Sequence, residues 1–127
     1  MEINKVLVVD DEEDIRAVVQ LSLSHVGGWK TALASSCAEA LEKAVTERPD
    51  IIILDVMMPE LDGVDTLKRL QQNEQTQRIP VIFMTARAQE VESERLLDLG
   101  AVGVVAKPFD PMTLPNQIRE IAANISR

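Results

Sequence analysis

The sequence predicts an α/β fold, a doubly wound five-stranded parallel sheet with helices on both faces. Three observations lead to this prediction. Five short runs of apolar, mostly β-branched residues recur along the 127-residue chain, as the buried strands of a parallel sheet do. A helical pattern follows each run, and parallel strands need such crossovers. The third run, residues 51–54, is apolar without interruption, which fits a central strand covered on both faces.

The strands are predicted from apolar runs that end in charged or turn-forming residues. They cover residues 5–9, 29–33, 51–54, 81–84 and 102–106. We expect the flavodoxin-like strand order 2-1-3-4-5, with its switch point between the first and third strands. No linker or repeat interrupts the alternation, so residues 1–127 are predicted to form a single domain.

The helices are predicted from capping residues and from apolar residues three or four positions apart. An acidic run at 10–14 opens the first helix, Ser36 and Glu39 form a capping box for the second, and Gly63 begins the third. The fourth is expected over 88–99, and the fifth near residue 113, with Pro115 in its first turn. The expected inward residues are Ile15, Val18, Val19, Ser22 and Val26; Ala38, Leu41 and Val45; Val64, Leu67 and Leu70; Val91, Leu96 and Leu99; and Leu114, Ile118, Ile121 and Ile125.

Composition excludes several classes of function. The net charge of −8 and the aromatic content of 2% argue against a protein that binds nucleic acid through phosphates or base stacking. The single cysteine, Cys37, cannot form an internal disulfide, which favours a reducing compartment. No signal peptide is expected from the first residues, and no apolar run reaches membrane-spanning length. We therefore expect a cytoplasmic protein without a nucleic-acid partner or membrane insertion.

Asp55 is the first candidate for a functional residue. It ends the apolar run at 51–54, and Met58-Pro59 and Asp62-Gly63 then turn the chain away. A carboxylate at the end of a buried strand is costly to desolvate. Open α/β sheets also bind their ligands just outside this end of the strands. The position therefore indicates a working group rather than a turn residue.

Four more polar residues follow the ends of strands and should meet Asp55 at the same edge: Asp10, Asp11, Thr85 and Lys107. Two carboxylates about 5 Å apart repel by roughly 3 kcal/mol at an effective dielectric constant near 20, so three of them need cations nearby. Lys107 supplies one positive charge, and an oxygen-only ligand set without histidine or cysteine suits Mg²⁺ or Mn²⁺. A carboxylate beside such a metal, a lysine and a hydroxyl is equipped to accept a phosphoryl group covalently.

These residues, with their neighbours, resemble the receiver domains of two-component response regulators, especially the single-domain, chemotaxis-like members. The resemblance covers nearly the whole chain, and the combination of motifs at these spacings is specific. The matching segments are residues 8–11 (VVDD), 53–59 (ILDVMMP), 62–63 (DG), 84–86 (MTA), 100–101 (GA) and 107–109 (KPF).

The resemblance implies that Asp55 accepts a phosphoryl group from the phosphohistidine of a sensor histidine kinase or a phosphotransfer protein. Asp10 and Asp11 would hold Mg²⁺ with Asp55 and the backbone carbonyl of Met57. The other two site residues would contact phosphoryl oxygens, Lys107 through its ammonium group and Thr85 through its hydroxyl, aided by the backbone N–H of Ala86. The inward movement of the Thr85 side chain on phosphorylation would repack the face of helix 4, strand 5 and helix 5, to which a downstream protein binds. No output domain is expected, and the domain's chemistry would be limited to its own phosphorylation and dephosphorylation.

The chain departs from the family pattern at one position. The family usually has an aromatic residue three positions before the strand-5 lysine, and Val104 stands there. A coupling between threonine and an aromatic side chain therefore cannot operate in its usual form. Pro115, in helix 5 of the same face, also indicates a changed docking surface. We further hypothesise that Met57 and Arg87 flank the acyl phosphate and tune its hydrolysis.

Three other functions match parts of the sequence less well. A phosphatase of the haloacid-dehalogenase type would use Asp10 as nucleophile, with Thr85, Lys107 and Asp110. The pattern of that family requires an aspartate at the position of Glu12. A receiver-like scaffold could bind partners without phosphorylation, although the intact acidic residues argue against it. A flavin carrier of similar topology is disfavoured because no glycine-rich or Ser/Thr-rich phosphate loop follows the first strand.

Overall fold

The structure, a computed structural model, describes residues 2–58, 62–87 and 89–125. Strands and helices alternate along the chain: β1 (Lys5–Val9), α1 (Glu13–Leu21), β2 (Lys30–Ala34), α2 (Cys37–Thr46), β3 (Ile51–Asp55), α3 (Gly63–Gln71), β4 (Val81–Thr85), α4 (Glu90–Asp98), β5 (Gly103–Ala106) and α5 (Leu114–Ala123). A π-helical segment, Ser22–Val26, continues α1 by one turn. Within these residues, no helix combines the length and the apolar character that crossing a membrane requires.

The predicted sheet is confirmed. All five strands are parallel, and their order is β2-β1-β3-β4-β5. In the register, Val9 lies beside Leu54, and Asp55 lies beside Met84. The carboxyl ends of β1, β3 and β4 therefore finish at one level, at the edge where the chain reverses its direction of winding.

The core has two layers because successive residues of each strand point to opposite faces of the sheet. On one face, Leu7, Ile52 and Phe83 pack in a cluster with residues of α2, α3 and α4. On the other face, Val8 and Ile53 pack in a second cluster with residues of α1 and α5. Ile51 to Leu54 are all fully buried, as expected of a central strand covered on both sides.

The stripe predicted for α1 is only partly correct. Val19 is buried as expected, but Val18 and Val26 are 39% and 40% exposed. Leu23, which was not predicted, lies in the core instead. The π-helical segment explains the errors at Leu23 and Val26, because its wider turn rotates the residues after Leu21 relative to an α-helical projection.

In α2 the capping box is present in modified form. Ser36 Oγ accepts a hydrogen bond from the Glu39 N–H at 3.2 Å, but Glu39 reaches back to the N–H of Ser35 rather than to that of Ser36. The buried residues are the small ones, Cys37, Ala40 and Ala44. Ala38 is exposed and Leu41 and Val45 are half-buried, so the predicted face was rotated toward the larger side chains.

The later helices follow the predictions more closely. Leu67, Leu70 and Leu96 are buried, and Leu114 and Ile118 anchor α5, which carries Pro115 in its first turn as predicted. Val91 of α4 is 80% exposed, so its assignment to the core was wrong. Two residues of the predicted turn and helix start, Pro59 and Ala88, lie outside the described residues.

Candidate functional site

Two aspartates come together where β1 and β3 end. Asp55 is the last residue of β3, and Asp10 follows β1, whose final residue pairs with Leu54. Both carboxylates are buried, with Asp10 at 0% and Asp55 at 4% exposure. Asp11 is exposed at the rim of the same crevice. Strand register alone therefore places two desolvated acids side by side.

The three acids form a cluster with the geometry of a cation site. One carboxylate oxygen from each of Asp10, Asp11 and Asp55 lies within 4.8 Å of the other two. Every side-chain donor is a carboxylate oxygen, which is the chemistry of hard divalent cations rather than of zinc. The donor set therefore fits Mg²⁺ or Mn²⁺.

Asp55 is held in an unfavourable environment for a charge. Burial, together with the negative charge of Asp10, raises the pKa of Asp55 from 3.8 to about 6. Lys107 and the N–H of Met57, which donates to Asp55 Oδ1 at 3.3 Å, oppose this shift without cancelling it. A carboxyl group with so strongly perturbed a pKa, set in a crevice, is a candidate for a functional residue.

Lys107 bridges the two buried acids. Its Nζ lies 2.9 Å from Asp10 Oδ2 and 3.2 Å from Asp55 Oδ1. Burial lowers the pKa of Lys107, but the hydrogen bond and charge of Asp10, with those of Asp55, outweigh this effect and hold the pKa above its ordinary value. The ammonium group is therefore kept charged in the centre of the site.

Asp10 is fixed by contacts that sequence reasoning did not identify. Its Oδ1 accepts a hydrogen bond from the N–H of Glu12 at 2.9 Å, and Arg16 Nη1 donates to its backbone carbonyl at 2.7 Å. Arg16 lies one turn into α1, on the side that faces the crevice. Nothing in the local pattern distinguishes it from a solvated arginine, because the bond is to a backbone atom.

Thr85 and Ala86 lie at the neighbouring strand end. Thr85 is the last residue of β4 and is buried, and its Oγ1 accepts a hydrogen bond from the N–H of Arg87 at 3.0 Å. Ala86 is exposed and lines an apolar hollow of about 330 Å³ between α1 and the segment after β5. Thr85 therefore stands beside the acids while its hydroxyl is engaged by the loop that follows it.

The turn after β3 needs a residue without a side chain. A Cβ on Gly63 would lie 2.2 Å from the carbonyl oxygen of Asp55. The N–H of Gly63 donates to the carbonyl of Val56, and Asp62 caps α3 by accepting from the N–H of Asp65 at 2.9 Å. This close approach folds the start of α3 against Asp55, and Met57, in the same turn, is 67% exposed. The predicted role of the Met57 carbonyl stays a prediction.

The face formed by α4, β5 and α5 has few large side chains near the site. Val104 is half-buried, and Ala106 is exposed. Val91 is almost fully exposed on α4, whereas Pro115 is buried. The role predicted for this face in binding a downstream protein stays a prediction.

Comparison with known proteins gives a consistent result. A family model described as the response regulator receiver domain matches residues 6–119. The chain is 42% identical over 117 residues to the alkaline phosphatase synthesis transcriptional regulatory protein PhoP of Bacillus subtilis, covering 92% of this chain and 48% of that protein. It is 38% identical over 118 residues to the transcriptional regulatory protein CpxR of Escherichia coli, covering 93% and 49%. The chain thus spans about half the length of the curated relatives it matches.

Solved structures give the same picture over whole chains. The chemotaxis protein CheY4 of Vibrio cholerae superposes with a TM-score of 0.86 at 32% identity, covering 94% of this chain and 99% of that one. A response regulator from Chloroflexus aurantiacus superposes with a TM-score of 0.85 at 30% identity, covering 97% and 100%.

Proposed function

Because the chain belongs to the response regulator receiver family of two-component signalling, we propose that it is a Mg²⁺-dependent phosphoacceptor whose acceptor is Asp55. The observation that carries the proposal is the buried Asp55 carboxylate, set between two other acids and Lys107. The phosphoryl donor would be the phosphohistidine of a sensor histidine kinase or a phosphotransfer protein.

The two oxygens of Asp55 have different surroundings. Oδ1 receives Lys107 Nζ and the N–H of Met57. Within residues 2–58, 62–87 and 89–125, no group donates a hydrogen bond to Oδ2, so this oxygen is the better nucleophile. In the proposed step, Oδ2 attacks phosphorus and an O–P bond forms. The N–P bond to the donor imidazole breaks, and its electron pair stays on the imidazole nitrogen.

Asp10, Asp11 and Asp55, with the carbonyl of Met57, would hold the metal ion. When bound, Mg²⁺ supplies positive charge that offsets the charge of the transferring phosphoryl group. Lys107, whose Nζ lies 3.2 Å from Asp55 Oδ1, would donate to a phosphoryl oxygen on Asp55 and would release part of its contact with Oδ1 to do so. Its charge also lowers the cost of placing a phosphoryl group between two carboxylates.

Thr85 and Ala86 would complete the site after phosphorylation. The Thr85 hydroxyl lies at the end of the strand beside Asp55 and would turn toward a phosphoryl oxygen, and the N–H of Ala86 would donate to another. A phosphoryl group that binds this arrangement more tightly than the resting one shifts the equilibrium between them. With Val104 in place of an aromatic residue, the change would reach the face of α4, β5 and α5 through the packing of Val104 and the backbone of β5.

The wall of the crevice also suits a protein donor. Ile15 and Val18 of α1, with Pro108 and Phe109, line the apolar hollow beside Lys107. A donor helix that brings its histidine to Asp55 would rest apolar side chains there and meet the acidic rim with basic ones.

The proposal is tested by incubating the protein with Mg²⁺ and acetyl phosphate or phosphoramidate and measuring its intact mass. We expect one added phosphate that is labile to alkali and absent in Asp55→Asn. Chelation of Mg²⁺ should abolish the addition in the wild-type protein. Addition of phosphate to Asp55→Asn, or none to the wild type, contradicts the proposal. Steady hydrolysis of a phosphomonoester that is lost in Asp10→Asn but kept in Asp55→Asn would instead indicate a phosphatase.

A further inference from the structure

A buried hydroxyl joins α1 to the segment that follows Lys107. Ser22, in the π-helical segment, is 3% exposed, and its Oγ donates a hydrogen bond to the backbone carbonyl of Pro111 at 2.5 Å. The two residues are 89 positions apart in sequence. A buried hydroxyl without a partner is costly, so this bond fixes both the hydroxyl and the carbonyl that it meets.

The segment from Pro108 to Thr113 is otherwise held mainly by its own bonds. Asp110 accepts hydrogen bonds from the N–H groups of Met112, Thr113 and Leu114, all within four residues of itself. Among the residues that the structure describes, the bond from Ser22 is the one hydrogen bond that connects 108–113 to a distant part of the chain. The position of the segment relative to the sheet therefore depends on Ser22 and on apolar packing.

The other end of this connection is itself fixed. Arg119 of α5 donates through Nη2 to the carbonyl of Gly27 at 2.7 Å, and its guanidinium lies 4.8 Å from the ring centroid of Trp29. Arg119 thus attaches the end of the π-helical segment to α5, while Ser22 attaches its beginning to the segment that leads into α5. The π-helical segment is therefore attached both to α5 and to the residues that follow Lys107.

We propose that Ser22 is a positioning residue for Lys107, acting through Pro111, in the phosphoryl transfer proposed above. Lys107 Nζ must bridge Asp10 and Asp55 and then meet a phosphoryl oxygen. The N–H of Lys107 donates to the carbonyl of Thr85 at 2.8 Å, which holds the start of this segment beside β4, and Ser22 holds its far part through Pro111. The side chain of Lys107 is long and flexible, so its placement depends on both attachments. Ser22 follows the 9-residue α1, roughly 13 Å along the helix axis from its start beside the acids, so its loss should impair the step that uses Lys107 without affecting metal binding.

The test uses Ser22→Ala with Ser24→Ala as the matched control. Ser24 belongs to the same π-helical segment, but its hydroxyl donates locally to the carbonyl of Gln20 at 2.7 Å. Two quantities are measured on the full chain: Mg²⁺ affinity by calorimetric titration, and the rate of phosphorylation by acetyl phosphate at saturating Mg²⁺. We expect Ser22→Ala to slow phosphorylation about three- to tenfold, the worth of one hydrogen bond, with Mg²⁺ affinity unchanged. Ser24→Ala should change neither.

A double-mutant cycle then tests whether Ser22 acts through the lysine. In a Lys107→Ala background, Ser22→Ala should slow phosphorylation by less than about twofold. An equal loss in both backgrounds, or a parallel loss of Mg²⁺ affinity, would mean that Ser22 supports the fold in general and would overturn the inference. Uptake of phosphate by the wild type with an unchanged rate in Ser22→Ala overturns this inference alone. No uptake by the wild type overturns the proposed function as well.

Discussion

Two aspartates flank the central strand β3, and the fold treats them in opposite ways. Asp50 precedes the strand, is half-buried, and accepts hydrogen bonds through Oδ2 from the N–H groups of Asn4 and Lys5 at 2.7 and 3.0 Å. Asp55 ends the strand and lies beside Asp10, and its pKa is raised to about 6. One carboxylate is satisfied by the backbone, and the other is held near a second negative charge.

The contrast shows that the destabilising charge of this sheet lies at the carboxyl end of β3 and not at its amino end. At the amino end of β3, the charge of Asp50 ties β1 to β3 and stabilises the fold. At the carboxyl end, the fold keeps a costly acid that Lys107 and the N–H of Met57 compensate in part, as expected where a cation and a phosphoryl group bind. Exchanging either aspartate for asparagine changes one charge and little volume, so the pair can be compared directly.

The largest expected difference is in phosphorylation. Asp55→Asn should lower the uptake of phosphate from acetyl phosphate by more than about a thousandfold, because the nucleophilic oxygen is lost. Asp50→Asn should retain a rate close to that of the wild type. Intact mass against time measures both. Slow uptake in Asp50→Asn would show that the two ends of β3 are not separate in function.

The second difference concerns the metal. Asp11→Asn should weaken Mg²⁺ binding by about tenfold or more, because one of three clustered negative charges is removed. Glu13→Gln removes an exposed acid two positions along the chain, at the start of α1, and is the control, with little change expected. Calorimetric titration at fixed ionic strength gives both affinities. Equal affinities for the two variants would argue against the acid cluster as the metal site.

The third difference is in stability, where the two variants should have opposite signs. At pH 8, with a chelator present to remove divalent cations, Asp55→Asn should raise the free energy of unfolding by about 1–3 kcal/mol. The substitution removes a negative charge that is desolvated and that is repelled by Asp10. Asp50→Asn should lower it by about 0.5–1.5 kcal/mol, because a charged acceptor for two N–H groups is lost. Denaturant unfolding measures both values.

The gain in Asp55→Asn should also depend on pH. The folded-state pKa of Asp55 is about 6 and its ordinary value is 3.8, so ionised Asp55 destabilises the native protein above pH 6. As pH falls from 6 toward 4, the native carboxyl becomes protonated and this penalty disappears. The advantage of asparagine should therefore be largest above pH 6 and vanish near pH 4. A gain that does not change over this range would show that burial of charge is not its cause.

The smallest expected effects concern the side chains of Met57 and Arg87, which are predicted to flank the acyl phosphate. Met57 is exposed and its N–H donates to Asp55, and the N–H of Arg87 donates to Thr85. Replacing either side chain by alanine should shorten the lifetime of the acyl phosphate about two- to fivefold, since water reaches phosphorus more freely. Arg69→Ala, an exposed arginine on α3, is the control. Unchanged lifetimes in both variants would reject this role.

Much of the site was accessible from the sequence because the chain order of a parallel sheet predicts which strand ends meet. Asp10, Asp55, Thr85 and Lys107 were all identified as residues that follow strands, and the structure brings them to one edge. The errors have a common cause, since they concern the direction of helical side chains. Val18, Val26 and Val91 were assigned to the core from spacing, but spacing gives no warning of a π-helical turn or of a helix with one sparse apolar face.

By itself, the sequence determined the architecture and the chemical character of this protein. The spacing of apolar residues and the residue types are local properties of the chain. Runs of β-branched residues form buried strands, and acids at the ends of those strands predict a cation site. Only the tertiary structure decided which oxygen of Asp55 is engaged, that Arg16 holds the backbone of Asp10, and that Ser22 supports the segment after Lys107. These contacts join residues that only packing brings together. Several of them involve backbone carbonyls, which every residue type has, so the sequence cannot indicate them.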